Sequence, residues 1–360
     1  MDMAGVLDHR ACGVDCTLKP PTEENRVRTL TIRKAALFLV AVLACGSLST
    51  ARDERFYFTV SSDLHGAYSR FASVCDAINR LLGGEGAFHV SIGDLSGSIG
   101  KNRAILDRYF GKTARWFPVI GNHDIENRDS LAWLRNEYEN GNSARTPLKN
   151  FTKKAGPAGS SRTTYSWDYG SAHFVVLNVY WNGEPNEGAG RARGSDASGK
   201  GDIVPALYRW LEDDLAACDM PFVFVFGHEP AFPLVRHEGN SLDANEKNRD
   251  AFWRLLETHR VTAYVCGHTH YYSARKGDAR NAGNVWQICA GSGGRKSFDG
   301  LTFLRFVVES GAASLDVYRD ASTRSFRKTA TFDFAPRESR KTSHPEPGRL
   351  SQKPAALPIP

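Results

Sequence analysis

The sequence has no apolar run long enough to cross a bilayer comfortably. The longest, Ala35 to Cys45, has eleven residues, whereas a transmembrane helix needs about 20. Four basic residues between positions 26 and 34 precede this run, and small residues follow it up to Ala51. This order is typical of an export signal. We therefore predict that residues 1–51 direct export to the periplasm or the extracellular space, that the mature chain has no stable membrane span, and that lipid attachment at Cys45 is the alternative.

The body of the chain also lacks a large excess of charge of one sign. Of the net charge of +6, residues 1–51 carry +1 and residues 335–360 carry +3, which leaves +2 for the rest. This balance gives no support for a basic groove, so we expect no nucleic-acid partner. Residues 335–360 hold six of the sixteen prolines and few large apolar side chains. We predict a disordered Pro-rich tail there and a single domain over residues 52–334.

Cysteine is scarce, and its positions indicate neither a zinc site nor a set of disulfide bonds. Three of the seven cysteines lie in residues 1–51, and the others are Cys75, Cys218, Cys266 and Cys289. None has the spacing of a zinc site, and their wide separation fixes no pairing even in an oxidising compartment.

What the chain does contain is a regular alternation of short apolar runs and helical patterns. Phe56 to Val60 and Phe88 to Ile92 are predicted strands, and Tyr68 to Leu82 between them has apolar residues at helical spacing. Residues 163–178 predict a hairpin. The chain after His270 consists mostly of strand patterns, at residues 285–290, 301–309 and 312–318. This order predicts an α/β fold, with a partly parallel central sheet and a second sheet packed on it. Residues 183–202 read as a polar, Gly-rich surface loop.

Five polar motifs directly follow predicted strands. In chain order they are Asp63-Leu64-His65, Gly93-Asp94, Gly121-Asn122-His123-Asp124, Gly227-His228-Glu229 and Gly267-His268-Thr269-His270. Ligands of open α/β sheets bind beyond the carboxyl ends of strands, so we expect these motifs to meet there. We also expect Asp63 and His65 to point the same way, as do His268 and His270, because side chains alternate along an extended segment.

The residue types in these motifs fit a site with two metal ions. Asp, His and Asn supply oxygen and nitrogen ligands, which suit Zn, Fe or Mn. A carboxylate has two oxygens and can bridge two metal ions, and Asp94, the only candidate ligand in its motif, is the expected bridge.

The ordered motif set resembles the calcineurin-like metallophosphoesterase superfamily, which includes purple acid phosphatases and class III cyclic-nucleotide phosphodiesterases. The resemblance covers about residues 56–320 and implies a four-layer αββα sandwich of two mixed β-sheets flanked by helices. It implies two sets of ligands that share Asp94: the first metal would be held by Asp63, His65, Asp94 and His270, and the second by Asp94, Asn122, His228 and His268. His123 would face the substrate as general acid or as a hydrogen-bond donor to the phosphate, and Asp124 would orient it.

The implied activity is hydrolysis of a small phosphate ester, in which a metal-activated hydroxide attacks phosphorus in line. A phosphomonoesterase and a phosphodiesterase both remain open, and so does a catalytically inactive metal-binding module of the same fold. Purple acid phosphatases carry a tyrosine ligand where this chain has Gly97, so a tyrosinate–iron chromophore is not expected. For His237 a position at the rim of the site and a position at the surface are both open, and we expect the surface. Tyr180 and Trp181 fit either a leaving-group contact or a packing role. Arg191, Arg193 and Lys200 in the Gly-rich loop are within reach of a phosphate in principle, but we expect them to be solvated. Oligomeric state is not specified.

Overall fold

In the computed structural model the chain is described over residues 55–139, 142–143, 152–185, 200–277, 283–295, 300–320 and 325–337. The predicted export signal, most of the predicted loop 183–202 and nearly all of the predicted tail lie outside these ranges. No helix in the part of the chain that is described is long and apolar enough to span a membrane.

Two mixed sheets form the centre of the fold. The strands of the first sheet are β1 (Phe56–Ser62), β2 (His89–Ile92), β3 (Trp116–Val119), β13 (Thr302–Val308), β14 (Ala313–Arg319) and β15 (Arg327–Phe334). They lie side by side in the order β15-β14-β13-β1-β2-β3. Those of the second are β6 (Thr152–Ala155), β7 (Tyr165–Tyr169), β8 (Ala172–Val176), β9 (Phe222–Phe226), β10 (Ala263–Cys266), β11 (Tyr272–Lys276) and β12 (Trp286–Ala290). Their order is β11-β12-β10-β9-β8-β7-β6. A separate short ribbon pairs β4 (Tyr138–Glu139) with β5 (Asn142–Ser143).

Helices follow the strands as the sequence predicted. They are α1 (Tyr68–Leu82), α2 (Ile99–Phe110), α3 (Asn122–Ile125), α4 (Arg128–Glu137), α5 (Pro205–Ala217) and α6 (Glu246–Thr258), with a short 3-10 helix at Leu242–Ala244. Helix α1 buries Phe71, Val74 and Ile78 along one face and ends at Gly83, whose φ of 81° allows the left-handed turn that closes a helix. Helix α5 begins with Pro205, which needs no hydrogen bond at that position.

Aromatic side chains fill the space between the two sheets. Phe58 of β1 stacks on Phe306 of β13 with ring centroids 4.8 Å apart, and it meets Phe174 of β8 edge to face at 5.2 Å. Phe88 packs edge to face on Trp167 of β7 at 5.7 Å. All five are fully or almost fully buried, and each ring that leaves water stabilises the fold by roughly 1.5–3 kcal/mol. This layer fixes the distance between the sheets, and with it the meeting of their strand ends.

The predicted sandwich of two mixed sheets with helices is confirmed. The distribution of strands differs from the prediction, because the last three strands extend the first sheet rather than build the second. The reason is that β13 returns antiparallel beside β1. Strands β6, β11 and β15 were not predicted: β15 has mostly exposed residues, and β11 is only half-buried, so neither shows a strong apolar pattern.

Arg337, three residues beyond the predicted domain end at residue 334, is hydrogen-bonded to the fold. The Arg337 backbone N–H donates to the Pro221 carbonyl at 2.8 Å, and its guanidinium donates to the carbonyls of Cys218 and His259 at 2.8 and 3.0 Å. Arg337 therefore ties the chain to the region before β9.

Candidate metal centre

The five motifs meet at one place. They follow β1, β2, β3, β9 and β10, whose pairings within each sheet are parallel. The two sheets are joined there, since the His268 backbone N–H donates to Asp63 Oδ2 at 3.1 Å and His228 Nδ1 lies 2.8 Å from the Ile92 carbonyl. Two groups of ligand atoms result, each with its atoms within 4.8 Å of one another: Asp63, His65, Asp94 and His270 form one, and Asp94, His228 and His268 form the other.

Asp94 belongs to both groups. Its Oδ2 lies 3.3 Å from His65 Nε2 and 3.4 Å from His228 Nε2, while its Oδ1 accepts a hydrogen bond from the His123 backbone N–H at 2.9 Å. Burial by itself would raise the pKa of Asp94, but His228 and His65 lower it below its usual value. One carboxylate oxygen that is held between two imidazoles in this way suits a bridge between two cations.

Asp63 is oriented from one side only. Its Oδ2 accepts from Ser62 Oγ at 2.6 Å and from the His268 N–H, whereas its Oδ1 is buried and has no hydrogen-bond partner. Burial raises the pKa of Asp63 to about 7, with a smaller contribution from Asp94. A buried carboxylate oxygen without a partner is costly, and a cation at this position would satisfy it.

His65 and His270 present neutral nitrogens to the same space. Burial lowers the pKa of His65 to about 4 and that of His270 to about 3, and a neutral imidazole is the metal-binding form. Their Nε2 atoms face each other at 3.0 Å. Because Nδ1 of His228 donates to the Ile92 carbonyl, Nε2 is the nitrogen of that ring that can bind a metal.

Asn122 lies between two residues that contact Asp94. Its Oδ1 is buried without a hydrogen-bond partner. A Cβ on the preceding Gly121 would overlap the Asp94 backbone nitrogen, and one on Gly267 would overlap Ser62 Oγ. These glycines therefore permit the close approach of backbones that brings the ligands together. With its two unpartnered oxygens, the set of carboxylates, imidazoles and an amide fits two cations of the Zn, Fe or Mn class.

The backbone geometry of the ligands was predicted wrongly. Asp63, His65, His268 and His270 do not lie on extended segments: their φ angles are 53°, 49°, 66° and 62°, in the left-handed region. Asp94 has φ of 50° as well. Non-glycine residues adopt this conformation uncommonly, and such strain concentrates at functional sites. Here the left-handed turns, rather than strand alternation, bring the side chains together.

His123 lies at the edge of the centre, with its ring 5.0 Å from that of His65. The prediction that Asp124 orients this ring is not what the structure shows. Asp124 is buried, and its carboxylate accepts from the backbone N–H groups of Gly121 and Ser96 at 2.8 and 3.0 Å. The carboxylate beside His123 Nδ1, at 3.0 Å, belongs to Glu126, one helical turn further on. Asp124 therefore shapes the loop, and Glu126 contacts the ring.

Two residues at the site were missed or misjudged from sequence. His237 stacks on His268 with ring centroids 4.0 Å apart, so it is not a plain surface histidine. Arg236 Nη1 lies 2.6 Å from His270 Nδ1. The available signal was their position in the segment that follows the His228 motif, because a chain leaving a strand end at the site must first cross its rim.

Tyr180 and Trp181 are anchors of the fold. The Tyr180 hydroxyl donates to Glu229 Oε1 at 2.9 Å, and Trp181 Nε1 donates to the Glu184 carbonyl at 2.8 Å. Both side chains are buried. At Gly97 a Cβ would lie 2.6 Å from the Tyr68 hydroxyl, so this position has no room for a larger ligand side chain unless Tyr68 moves. Arg191 and Arg193, in the predicted loop, lie outside the described residues.

Comparison with known proteins agrees with this arrangement. Residues 56–272 match the model of a family described as calcineurin-like phosphoesterase. A 61-residue segment is 36% identical to tartrate-resistant acid phosphatase type 5 of Sus scrofa, and this alignment spans 17% of the chain and 16% of that relative.

Solved structures share the fold at low sequence identity. A dimetal phosphatase from Danio rerio superposes with a TM-score of 0.52 at 14% identity, covering 78% of this chain and 98% of that one. The purple acid phosphatase PPD1 from yellow lupin superposes with a TM-score of 0.53 at 15% identity, covering 79% of this chain and 54% of that one. GAP50 of Plasmodium, described as the anchor in the inner membrane complex, superposes with a TM-score of 0.51 at 13% identity, covering 79% of this chain and 90% of that one. These likenesses concern the fold.

Proposed function

This chain belongs to the calcineurin-like phosphoesterase family, and we propose that it hydrolyses small phosphate esters at a centre of two metal ions. The observation that carries the proposal is the position of Asp94, one carboxylate shared by two groups of ligand atoms. Asp63, His65, Asp94 and His270 would hold the first ion. Asp94, Asn122, His228 and His268 would hold the second.

Two bound metal ions would supply a nucleophile at neutral pH by acidifying water, and they would stabilise charge on the phosphoryl oxygens. The chain itself supplies the remaining functions. Arg236 touches His270, and Arg295 is close enough to lower the pKa values of His65 and His270 after the larger effect of burial. Positive charge from both arginines favours the binding of a phosphate anion at this rim.

His123 is the proposed proton donor to the leaving oxygen. Glu126 accepts at Nδ1, so the proton available for transfer is the one on Nε2. His237, stacked on His268, would contribute a further hydrogen bond to the substrate.

The test combines a substrate panel with one variant. Protein loaded with Mn, Zn or Fe should hydrolyse p-nitrophenyl phosphate if it is a monoesterase, and bis-p-nitrophenyl phosphate or cyclic AMP if it is a diesterase. His123→Ala should keep its metal content and lose a factor of about 10²–10⁴ in kcat. Glu126→Gln should lose less, because the His123 ring stays and keeps a hydrogen-bond partner at Nδ1.

An inactive metal-binding module of the same fold is the rival proposal. It predicts that the loaded protein hydrolyses none of these esters. Loss of metal from His123→Ala would remove that residue from the proton-donor role, because its ring would then be acting as a ligand.

We further propose that residues 1–51 direct export and are removed. The mass of the protein recovered outside the cytoplasm tests this. A chain that begins near residue 52 agrees with it, a chain that begins with lipid-modified Cys45 supports the anchored alternative, and an intact N-terminus contradicts both.

A further inference from the structure

Two large apolar side chains are exposed beside the metal centre. In the part of the chain that the structure describes, the exposed large hydrophobic residues are Leu81, Leu234 and Val235, at 44%, 41% and 73% exposure. Leu234 and Val235 are adjacent in the segment between the His228 motif and the 3-10 helix, here called the rim segment (residues 230–241). Isolated exposed hydrophobic residues need no explanation, but an adjacent pair at the border of an active site does.

The backbone of the rim segment is held in a strained conformation. Eight non-glycine residues of the described chain have a positive φ, and five of them are candidate metal ligands. Val235, with φ of 71°, and His237, with φ of 62°, are two of the other three. A branched residue such as valine is a clear outlier in this region. Val235 is mostly exposed, so little packing offsets the energetic cost of this backbone conformation. Backbone strain that is kept without such compensation points to a function.

Contacts of the residues that follow Val235 place this part of the rim segment beside the metal centre. The next residue, Arg236, touches His270, and His237 stacks on His268. The rim segment is closed by hydrogen bonds from Asn240 N–H and Ser241 Oγ to the His237 carbonyl, at 3.0 and 3.1 Å. The apolar pair therefore comes directly before two side chains that contact candidate metal ligands.

We propose that Leu234 and Val235 form an apolar lip that contacts the organic group of the substrate, so that the enzyme prefers phosphate esters of apolar alkyl or aryl alcohols. This inference rests on the proposed function and deepens it. The phosphate would lie among the metal ligands and arginines, while the organic group would leave the centre across the rim. Apolar area that is covered there gains affinity, and a methylene group that is fully buried is worth about fourfold.

The test uses binding rather than turnover. Linear alkylphosphonates from methyl to hexyl keep one anionic head group and are not hydrolysed as esters. Their Kd for the Mn-loaded protein is measured by calorimetry. We expect Kd to fall by about twofold for each added methylene, below the fourfold limit because the lip covers only one side of the chain.

Val235→Asn removes the apolar surface at little backbone cost, since asparagine tolerates the left-handed conformation. In Val235→Asn combined with Leu234→Ser, methylphosphonate should bind as before, and the dependence on chain length should largely disappear. The matched control is Leu81→Ser. Leu81 is about as exposed as Leu234 and lies near the C-terminal end of α1, whereas the N-terminal end of α1 is the one next to the site. The helix between the two ends is about 20 Å long, so this variant should leave the dependence of Kd on chain length unchanged.

Four results would overturn the proposed lip. Two concern the wild type: a Kd that does not change with chain length, or no phosphonate binding at all. The third is an unchanged dependence of Kd on chain length in the double variant. The fourth is a dimer in sedimentation that the double variant abolishes, since the apolar pair would then be a contact between subunits. The proposed function fails separately, when no ester is hydrolysed although phosphonates bind.

Discussion

His173 should stabilise the fold in a manner that depends on pH. The ring is buried at the start of β8, at the other end of this strand from the metal centre. Its Nδ1 lies 2.6 Å from Asp168 Oδ1 and its Nε2 lies 2.9 Å from Asp214 Oδ2. Asp214 also accepts from Ser166 Oγ at 2.8 Å, and Lys154 approaches it at 3.3 Å.

The magnitude follows from the shift in its pKa. Burial lowers the pKa of His173, but the hydrogen bonds to Asp168 and Asp214 outweigh burial and raise it from 6.5 to about 9. The folded state therefore binds the proton more tightly, and the stabilisation is complete below pH 6.5 and lost as pH rises through about 9. At about 1.4 kcal/mol per pH unit the full effect is about 3 kcal/mol. Asp168 borders a cavity of about 180 Å³ and is partly exposed, so we expect about 2 kcal/mol between pH 7 and pH 9.5.

The assay is denaturant unfolding of wild type and His173→Gln at pH 7 and pH 9.5, with the same metal loading. The difference in free energy of unfolding between the two proteins should shrink by about 2 kcal/mol at the higher pH. His89→Gln is the matched control. Its ring is also buried in a sheet, but burial lowers its pKa to about 3, so the ring is neutral throughout this range. If the difference in free energy of unfolding between wild type and His173→Gln stayed constant with pH, the ring would be uncharged in the folded state. That result would refute the predicted stabilisation by a charged His173.

Three further predictions concern the centre and its surroundings. Asp94→Ala should lower the metal content from two ions per chain to less than one, since both ligand groups lose a member; elemental analysis that still finds two ions would exclude the bridge. Gly121→Ala should weaken metal binding by about 10–100-fold in a chelator competition, as loss of a supporting contact does, because the new Cβ overlaps the Asp94 backbone; unchanged affinity would show that the loop can shift freely. Oxidised glutathione should join Cys266 to Cys289, whose Sγ atoms lie 3.1 Å apart, and leave Cys75 and Cys218 as thiols; peptide mass spectrometry that finds another pairing would contradict this.

Much of the strand and helix order was predictable because buried strands and amphipathic helices carry their own apolar periodicity. Phe222–Phe226 and Ala263–Cys266 are apolar throughout, and α1 shows its buried face in the spacing of Phe71, Val74 and Ile78. Strand β15, by contrast, is mostly exposed. It is a strand because β14 pairs with it, which no local pattern reveals.

The sequence by itself determined the family, the order of the strands that precede the ligands, and the identity of the candidate ligands, because these are properties of short segments and of residue type. Tertiary structure decided which atoms meet. It alone showed that Asp94 lies between His65 and His228, that Glu126 rather than Asp124 contacts His123, and that His237 belongs to the rim. These contacts join segments that are brought together by the pairing of strands and the packing of two sheets, or depend on local turns with positive φ. Neither spacing nor residue type records those geometries, so only the folded chain could supply them.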